Sequence, residues 1–178
     1  MSNYKEIVTK SIIGKGKKHF RNTYTLKSEY DVDTVLGCWV INHNFKGFNN
    51  NGKVEIRGSF DVNIWYSYEN NTKTNVINRN ITYDEIVPIK LKDGTSLDDN
   101  SEIIIRSLEG PTCTDVNTSS SNIEYVIEKT LGIEIVGEDK VKILVEDEDD
   151  DYEEIPDEIT DEEADKIVDS IDEKYIKD

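Results

Sequence analysis

Carboxylate side chains are the first residues in this sequence that could do chemistry. Asp98 and Asp99 are adjacent, Asp31 and Asp33 are two residues apart, and Asp61 lies within a strand pattern. Two carboxylates on either side of a glycosidic bond could hydrolyse that bond on a β-sandwich. Aspartates among Asp, Asn and Gly residues more often mark turns, however, and Asp61 falls on the polar side of its strand. We therefore predict that none of them is catalytic and that the protein is not an enzyme.

Histidine and cysteine are too scarce to support most nucleophilic or metal chemistry. His19 and His43 are the only histidines, and Cys38 and Cys113 are the only cysteines. Alternation along a regular strand would put Cys38 and His43 on opposite faces, and no CxxC or HxxxH spacing indicates zinc. We predict no metal, no cofactor and two buried free thiols, and we leave open whether these thiols cross-link later.

An acidic stretch near the C-terminus has the spacing of a calcium-binding loop. Asp147, Asp149, Asp151 and Glu158 occupy positions 1, 3, 5 and 12 of an EF-hand register. Position 6 is Tyr152, where the sharp turn of that loop requires glycine, and no helix leads into it. Only weak, nonspecific cation binding is expected.

Trp65 is the residue that most suggests a binding role. The strand that contains it alternates, and its apolar positions are Val54, Ile56, Gly58, Phe60, Val62, Ile64, Tyr66 and Tyr68. The other positions are polar except Trp65, whereas Trp39 lies in a run that is apolar on both faces and is predicted to be buried. Trp65 could be covered by a loop or by the C-terminal helix, could anchor an interface beside Arg57 and Asn63, or could stack on a sugar.

The stretch GKGKK is basic and contains glycine, but it matches no phosphate-binding loop. It is either a flexible lead-in to the first strand or an electrostatic socket for an acidic segment, such as the tail of another copy. In the second case, Lys15, Lys17 and Lys18 would contact that segment.

Short β-like runs separated by turn residues make up the middle of the chain. Strands are predicted near residues 18–26, 35–44, 53–68, 75–83, 102–108, 112–118, 123–129 and 133–145. Turns are predicted where Asn, Gly, Pro and Ser cluster, at 49–52, 70–71, 92–94, 110–111 and 119–122. Since no helical crossovers intervene, the pattern predicts an all-β, antiparallel β-sandwich-like body.

Charge divides the chain into three parts. Residues 146–178 hold 18 acidic and three basic residues of a chain with net charge −17, so the rest is nearly neutral. We predict a basic segment at 1–17 (helix or strand), a β-sandwich self-assembly domain at 18–145, and a largely disordered acidic tail at 146–178. A capping box from Thr160 to Glu163 predicts an amphipathic helix at 161–176, with an apolar stripe of Ala164, Ile167, Val168, Ile171 and Tyr175.

Composition also narrows the range of partners. The acidity argues against nucleic acid, because binding there requires Lys and Arg to neutralise phosphates. The apolar runs are only a few residues long, which argues against membrane insertion, and the first twenty residues lack the apolar core of a secretory signal. The protein is therefore expected to be made and kept inside a cell, at least at first.

Several segments, in order along nearly the whole chain, resemble the CotE family of outer spore coat morphogenetic proteins from endospore-forming bacteria. They are YKEIVTKSIIGKGKKH (4–19), LGCWVINH (36–43), KVEIRGSFDVNIWYSYENNTKT (53–74) and LDD (97–99), followed by a very acidic C-terminus. The loops and the residues after Asp147 match less closely. The resemblance implies a scaffold made in the mother-cell cytoplasm that oligomerises, surrounds the forespore in the outer spore coat and recruits other spore coat proteins.

The sequence and the resemblance together predict a self-assembling homo-oligomer that recruits other coat proteins. The expected self-assembly contacts are Trp65, Arg57, Asn63, Lys15, Lys17 and Lys18, and the expected recruitment contacts are Ile167, Val168, Ile171 and Tyr175. The alternative is a carbohydrate-binding β-sandwich in which Trp65 stacks on sugar.

Overall fold

Six long strands form two antiparallel sheets in the computed structural model, which describes residues 3–145. The strands are β1 (Asn3–Lys27), β2 (Thr34–Asn50), β3 (Lys53–Tyr68), β4 (Lys73–Val87), β5 (Glu102–Ser119) and β6 (Asn122–Val145). One sheet has the order β1-β6-β5 and the other β2-β3-β4. Glu6–Ile143 form one compact unit. The predicted all-β, sandwich-like class is confirmed, and residues 3–145 contain no helix that could cross a membrane.

Tight turns form where the sequence predicted them between paired strands. Asn51 and Gly52 join β2 to β3, and both have positive φ, at 51° and 82°. This is the backbone of a type I′ turn, whose twist matches the twist of the flanking strands. Asn70 and Ser120 likewise adopt positive φ in the turns that follow β3 and β5.

The core lies between the sheets, and β3 supplies one side of it as its alternation predicted. The side chains of Val54, Ile56, Phe60, Val62, Ile64 and Tyr66 are at most 2% exposed. On β6 they meet the alternate positions Ile123, Tyr125, Ile127, Leu131, Ile133 and Ile135. These residues form two clusters, one around Val54 and Ile133 and the other around Tyr66 and Ile123.

The strands are longer and fewer than the eight predicted. β5 continues through Gly110 and Pro111, where a turn was expected, with register shifts between Ser107 and Asp115. Proline is tolerated there because β5 is an edge strand. The two last predicted strands are one strand, β6. At the N-terminus, where helix and strand were both open, the chain is a strand from Asn3 onward.

Two linkers connect the sheets, residues 28–33 after β1 and 88–101 before β5. The second linker is bonded to β1. The Lys92 backbone N–H donates a hydrogen bond to the Ile13 carbonyl at 2.7 Å, and Leu91 forms an isolated antiparallel β-bridge with Gly14. The buried carboxylate of Asp139 accepts hydrogen bonds from Ser11 Oγ at 3.0 Å and from Lys92 Nζ. These contacts fix β1 against β6 where the two strands leave the body of the sandwich.

Beyond that anchor, β1 and β6 continue as a two-stranded ribbon. Among the described residues, β5 pairs with β6 only between Asn122 and Val136, so the later part of β6 has β1 alone beside it. We call residues 6–12 with residues 140–143 the β1–β6 ribbon. Every ribbon residue is exposed except Ser11 and Val141, which are partly buried.

Candidate interaction surface

The outer face of the β2-β3-β4 sheet carries Trp65, as the sequence predicted. In the strand register Trp65 lies between Gly37 of β2 and Val76 of β4. Two residues earlier on β3, Asn63 lies between Trp39 and Asn78. Because side chains two residues apart on a strand share a face, the apolar outward residues gather at one end of the sheet.

The two tryptophans of the chain form a pair on this face. Their ring centroids are 6.2 Å apart at an interplanar angle of 79°, an edge-to-face arrangement, and each residue is 42% exposed. Gly37 makes this possible, since a Cβ there would stand 2.6 Å from Cζ3 of Trp39. The prediction that Trp39 is buried is therefore wrong. Both faces of this stretch of β2 are apolar, so its sequence did not indicate which face packs against the core.

Two aliphatic side chains extend the pair into a patch. Ile41 is 47% exposed and Val76 is 44% exposed. We call Trp39, Ile41, Trp65 and Val76 the tryptophan face. Exposed apolar side chains are normal when scattered, but a contiguous group centred on two tryptophans is typical of an interaction site.

A polar depression of about 350 Å³ borders the tryptophan face, lined by Ile41, Asp61, Asn63, Asn78, Arg79 and Asn80. Asp61 accepts hydrogen bonds from Asn42 Nδ2 at 2.8 Å and Asn80 Nδ2 at 2.7 Å. These bonds, Asn80 first, lower the pKa of Asp61, so its carboxylate stays ionised at neutral pH. General acid–base hydrolysis requires a second carboxyl group, and the hydrogen-bond partners of Asp61 are amides.

Arg57 lies at the opposite end of the same face. Eight residues of β3 separate it from Trp65, which is roughly 26 Å along a strand. Its guanidinium donates to Glu55 at 2.9 Å and lies 4.8 Å from the centroid of the Phe48 ring. A groove of about 660 Å³ runs past Arg57 and Phe48. Trp65 and Asn63 therefore lie close together at one end of this face, and Arg57 lies too far along the strand to share a contact patch with them.

Lys15, Lys17 and Lys18 lie on β1, in the other sheet. Lys15 Nζ is 3.4 Å from a carboxylate oxygen of Glu134, and Lys18 Nζ lies 5.1 Å from the centroid of the Phe20 ring. Lys15 and Lys17 border a shallow depression of about 350 Å³ whose other lining residues include Arg106, Leu108 and Gly132. Lys15 and Lys17 therefore form a basic surface that is separate from the tryptophan face, whereas Lys18, the next residue on β1, lies on the other face beside Phe20.

The thiol of Cys38 is not activated for chemistry. Cys38 and Cys113 are free and partly buried. Burial raises the pKa of Cys38, and a hydrogen bond with the Cys113 thiol raises it further, so Cys38 stays protonated. His43 donates to or accepts from Tyr83 Oη at 2.7 Å, and burial lowers its pKa.

The expectation that Cys38 and His43 lie on opposite faces is wrong. The register of β2 shifts between Ile41 and Asn44, and Asn42 has a φ of 56°. Such a bulge inserts one residue and turns the following side chains to the other face. Cys38 packs against the core, and the His43 ring lies 6.2 Å from that of buried Phe60.

Sequence reasoning missed part of the exposed apolar surface. Trp39 was expected inside, and three exposed apolar residues of the first segment, Ile7, Val8 and Ile12, were not recognised as exposed. In the β1–β6 ribbon Ile7, Val8 and Ile12 are 38%, 59% and 52% exposed. Consecutive β-branched residues in a segment of uncertain periodicity were the signal that could have indicated a strand with both faces uncovered.

Several predicted residues lie outside the part of the chain that the structure describes. They are the tail as a whole, its helix at 161–176 with Ile167, Val168, Ile171 and Tyr175, and the acidic stretch Asp147, Asp149, Asp151 and Glu158. Within residues 3–145, no group of three or more His, Cys, Asp or Glu side chains could hold a metal ion.

The fold and this surface define a class of protein. In residues 3–145 the chain is an all-β sandwich that exposes an apolar face on one of its sheets. A family model narrows this class. The chain belongs to the outer spore coat protein E (CotE) family, whose model matches residues 3–177. It is therefore an outer spore coat protein, and its family consists of structural coat proteins. This confirms the resemblance to the CotE family that was noted in the sequence. No curated protein and no solved structure matches the chain.

Proposed function

We propose that this coat protein is a morphogenetic scaffold that self-assembles into homo-oligomers and then into a shell around the forespore. The tryptophan face is the observation that carries this proposal. Trp39 and Trp65 each expose 42% of their surface, and Ile41 and Val76 extend the patch. Burying these four side chains between copies would remove apolar surface from water, which is the main driving force of protein association.

The basic surface gives assembly a second, electrostatic element. Lys15, Lys17 and Lys18 lie on β1 at a distance from the tryptophan face, and the tail carries 18 acidic residues. Attraction between the lysines of one copy and the tail of another would speed encounter between copies and weaken with salt. Arg57, 57% exposed at its side chain, is a candidate for a further contact.

Recruitment of other spore coat proteins is assigned to the tail. Its sequence places Ile167, Val168, Ile171 and Tyr175 at helical spacing, which makes an apolar stripe suited to a partner's groove. The protein would be made in the mother-cell cytoplasm and then join the outer coat. Family membership supports the second location, and the sequence pattern supports the docking stripe.

The size distribution of the purified protein tests self-assembly. Light scattering and negative-stain microscopy would compare the full chain with a chain ending at Val145, after circular dichroism has shown that both are folded. Discrete oligomers or sheets from both would support self-assembly by the β-sandwich. Monomers from both, up to the highest soluble concentration, would overturn it.

Carbohydrate binding is the second candidate, and one observation favours it. The tryptophan pair borders a depression that is lined by the ionised Asp61, the amides of Asn63 and Asn78, and Arg79. A sugar could stack on a tryptophan ring and form hydrogen bonds with these polar groups. Calorimetric titration with soluble glycans tests it. Glycan binding by a strict monomer that is lost in Trp65→Ala would replace the scaffold proposal.

A further inference from the structure

The β1–β6 ribbon exposes apolar side chains on both of its faces. Ile7 and Val8 are adjacent, so they point in opposite directions, yet they are 38% and 59% exposed. Ile12 and Ile143 are 52% and 40% exposed. An isolated two-stranded ribbon is only marginally stable in water. An apolar, two-stranded extension is therefore expected to be covered in the working form of the protein.

The ribbon and the tryptophan face lie at opposite ends of the sandwich. The ribbon leaves from Ile13, which packs in the core cluster of Val54. Trp65 follows Ile64 and precedes Tyr66, two members of the other cluster. Eleven residues of β3 separate Val54 from Trp65, roughly 36 Å along the strand. Since the ribbon continues away from the body, it does not reach the tryptophan face of its own chain.

We propose that the β1–β6 ribbon of one copy docks on the tryptophan face of the next copy. This inference rests on the proposed self-assembly and names the two surfaces that meet. The contact is heterologous, because different patches of the two copies are used. A heterologous contact between opposite ends does not close on itself in a pair: it yields a ring if the rotation between successive copies closes and an open filament if it does not.

The two surfaces differ in size. The tryptophan face presents roughly 300 Å² of apolar surface, and each face of the ribbon presents about half of that, because Ile7 and Val8 point in opposite directions. With the usual non-polar share of an interface, one contact would bury on the order of 800 Å² in total, which is below the size of standard specific interfaces. A single contact is therefore weak, and in a chain of copies each copy makes two of them, one through each surface.

The charges around the two patches are compatible over part of the rim. The ribbon carries Lys10, Lys140 and Lys142 against Glu6. The tryptophan face is bordered by the carboxylate of Asp61, which attracts these lysines, and by Arg79, which does not. Opposite charges near the rim of an apolar contact favour its orientation and its rate of formation more than its strength.

Two variants that each lack one surface test the docking directly. The ribbon variant is Ile7→Ser with Val8→Ser, and the face variant is Trp39→Ser with Trp65→Ser. Each variant alone lacks one half of the contact and is expected to stay monomeric by sedimentation velocity. Mixed in equal amounts, the intact ribbon of one meets the intact face of the other, and a one-to-one heterodimer that grows no further is expected.

Each alternative arrangement gives a different result and overturns the docking. Dimers of the ribbon variant alone would show that tryptophan faces pair with each other. Assemblies of the face variant alone would show that ribbons pair with each other. A mixture that stays monomeric while the unaltered protein assembles would show that other surfaces meet. An unaltered protein that is itself monomeric would remove the proposed self-assembly and this contact together.

Controls separate docking from folding. Ile86→Ser removes an apolar side chain that is 53% exposed at the end of the same sheet far from the tryptophan face, and it is expected to leave assembly unchanged. Circular dichroism melts would verify that each variant folds. If the double tryptophan variant does not fold, Ile41→Lys with Val76→Lys changes the same face at positions that are 47% and 44% exposed. The same mixing result is expected from that variant.

Discussion

Replacing Trp65 by alanine separates the contribution of this residue to folding from its contribution to assembly. Trp65 is 42% exposed, so somewhat more than half of its surface is buried within its own chain. For an aromatic side chain of ~200 Å², that buried part contributes no more than about 3 kcal/mol at ~25 cal/mol per Å². Domains of this kind are stable by about 5–15 kcal/mol. Trp65→Ala is therefore expected to stay folded with a reduced free energy of unfolding.

The exposed part of the ring determines the effect on assembly. About 85 Å² of Trp65 would be buried between copies, which corresponds to roughly 2 kcal/mol per contact. Since about 1.4 kcal/mol is a factor of ten in an equilibrium constant, the critical concentration for assembly is expected to rise about 30-fold. Light scattering across a dilution series measures that concentration, and urea unfolding measured below it gives the free energy of unfolding.

A double-mutant cycle checks the tryptophan pair itself. Edge-to-face aromatic pairs contribute about 0.5–1.5 kcal/mol beyond the area they bury, so the effects of Trp39→Ala and Trp65→Ala on the free energy of unfolding should be non-additive by that amount.

Ile86→Ala, at a residue 53% exposed near the far end of the same sheet, is the matched control for the effect of Trp65→Ala on assembly. A critical concentration that rises less than about threefold in Trp65→Ala would refute the contact, given that a ~2 kcal/mol loss predicts far more. Loss of the folded state would show that Trp65 belongs to the core.

Three further predictions concern packing and ionisation in the strands of the sandwich. Gly58→Ala should lower the free energy of unfolding by about 1–3 kcal/mol in urea, because a Cβ there overlaps the Tyr83 ring, whereas Gly110→Ala, with no atom within 4 Å, should change it by less than about 1 kcal/mol. An equal effect of the two glycine substitutions would contradict the packing described. Cys38 should react with a thiol reagent at pH 8 far more slowly in the native protein than in urea, because its raised pKa keeps it protonated; equal rates would contradict its burial. The pKa of Tyr83 and of Tyr125 is raised to about 12 by burial, so the stabilisation from their neutral forms should be complete below pH 10 and lost as the pH rises toward 12, as monitored by phenolate absorbance and urea midpoints; tyrosines that all ionise near pH 10 in the folded protein would refute this.

The pattern of neighbouring residues in the sequence was sufficient to predict the fold class and the side chains of β3 that face the core. The alternation from Val54 to Tyr66 predicted which side chains face the core, and Asn51-Gly52 predicted a hairpin turn, because both signals depend on neighbouring residues alone. The number of strands was wrong for a different reason. Gly110 and Pro111 break most strands, but at an edge the missing N–H removes no ladder hydrogen bond, and edge position is a property of the whole sheet.

The candidate site was predictable only in part, for the same physical reason. Trp65 stood out because its neighbours on β3 are polar. Trp39 did not, because its exposure depends on the register that places it opposite Asn63 and on the missing side chain at Gly37. The distance between Trp65 and Arg57 follows from strand geometry alone and could have been foreseen. The exposure of Ile7 and Val8 was signalled only by their being consecutive β-branched residues, since it depends on where β5 stops pairing with β6.

The continuity of β1 has a mechanical consequence. From Ile7 in the ribbon to Phe20 in the core the strand has no loop or joint. Hydrogen bonds between antiparallel strands are perpendicular to the strand direction. Tension applied along the ribbon pulls β1 and β6 in the same direction, so it passes in shear to the hydrogen bonds that join β6 to β5 and loads them at the same time, instead of opening them one after another. In the proposed assembly, a stretched chain of copies would part at the small contacts between copies first, so that strain would release folded units that can dock again.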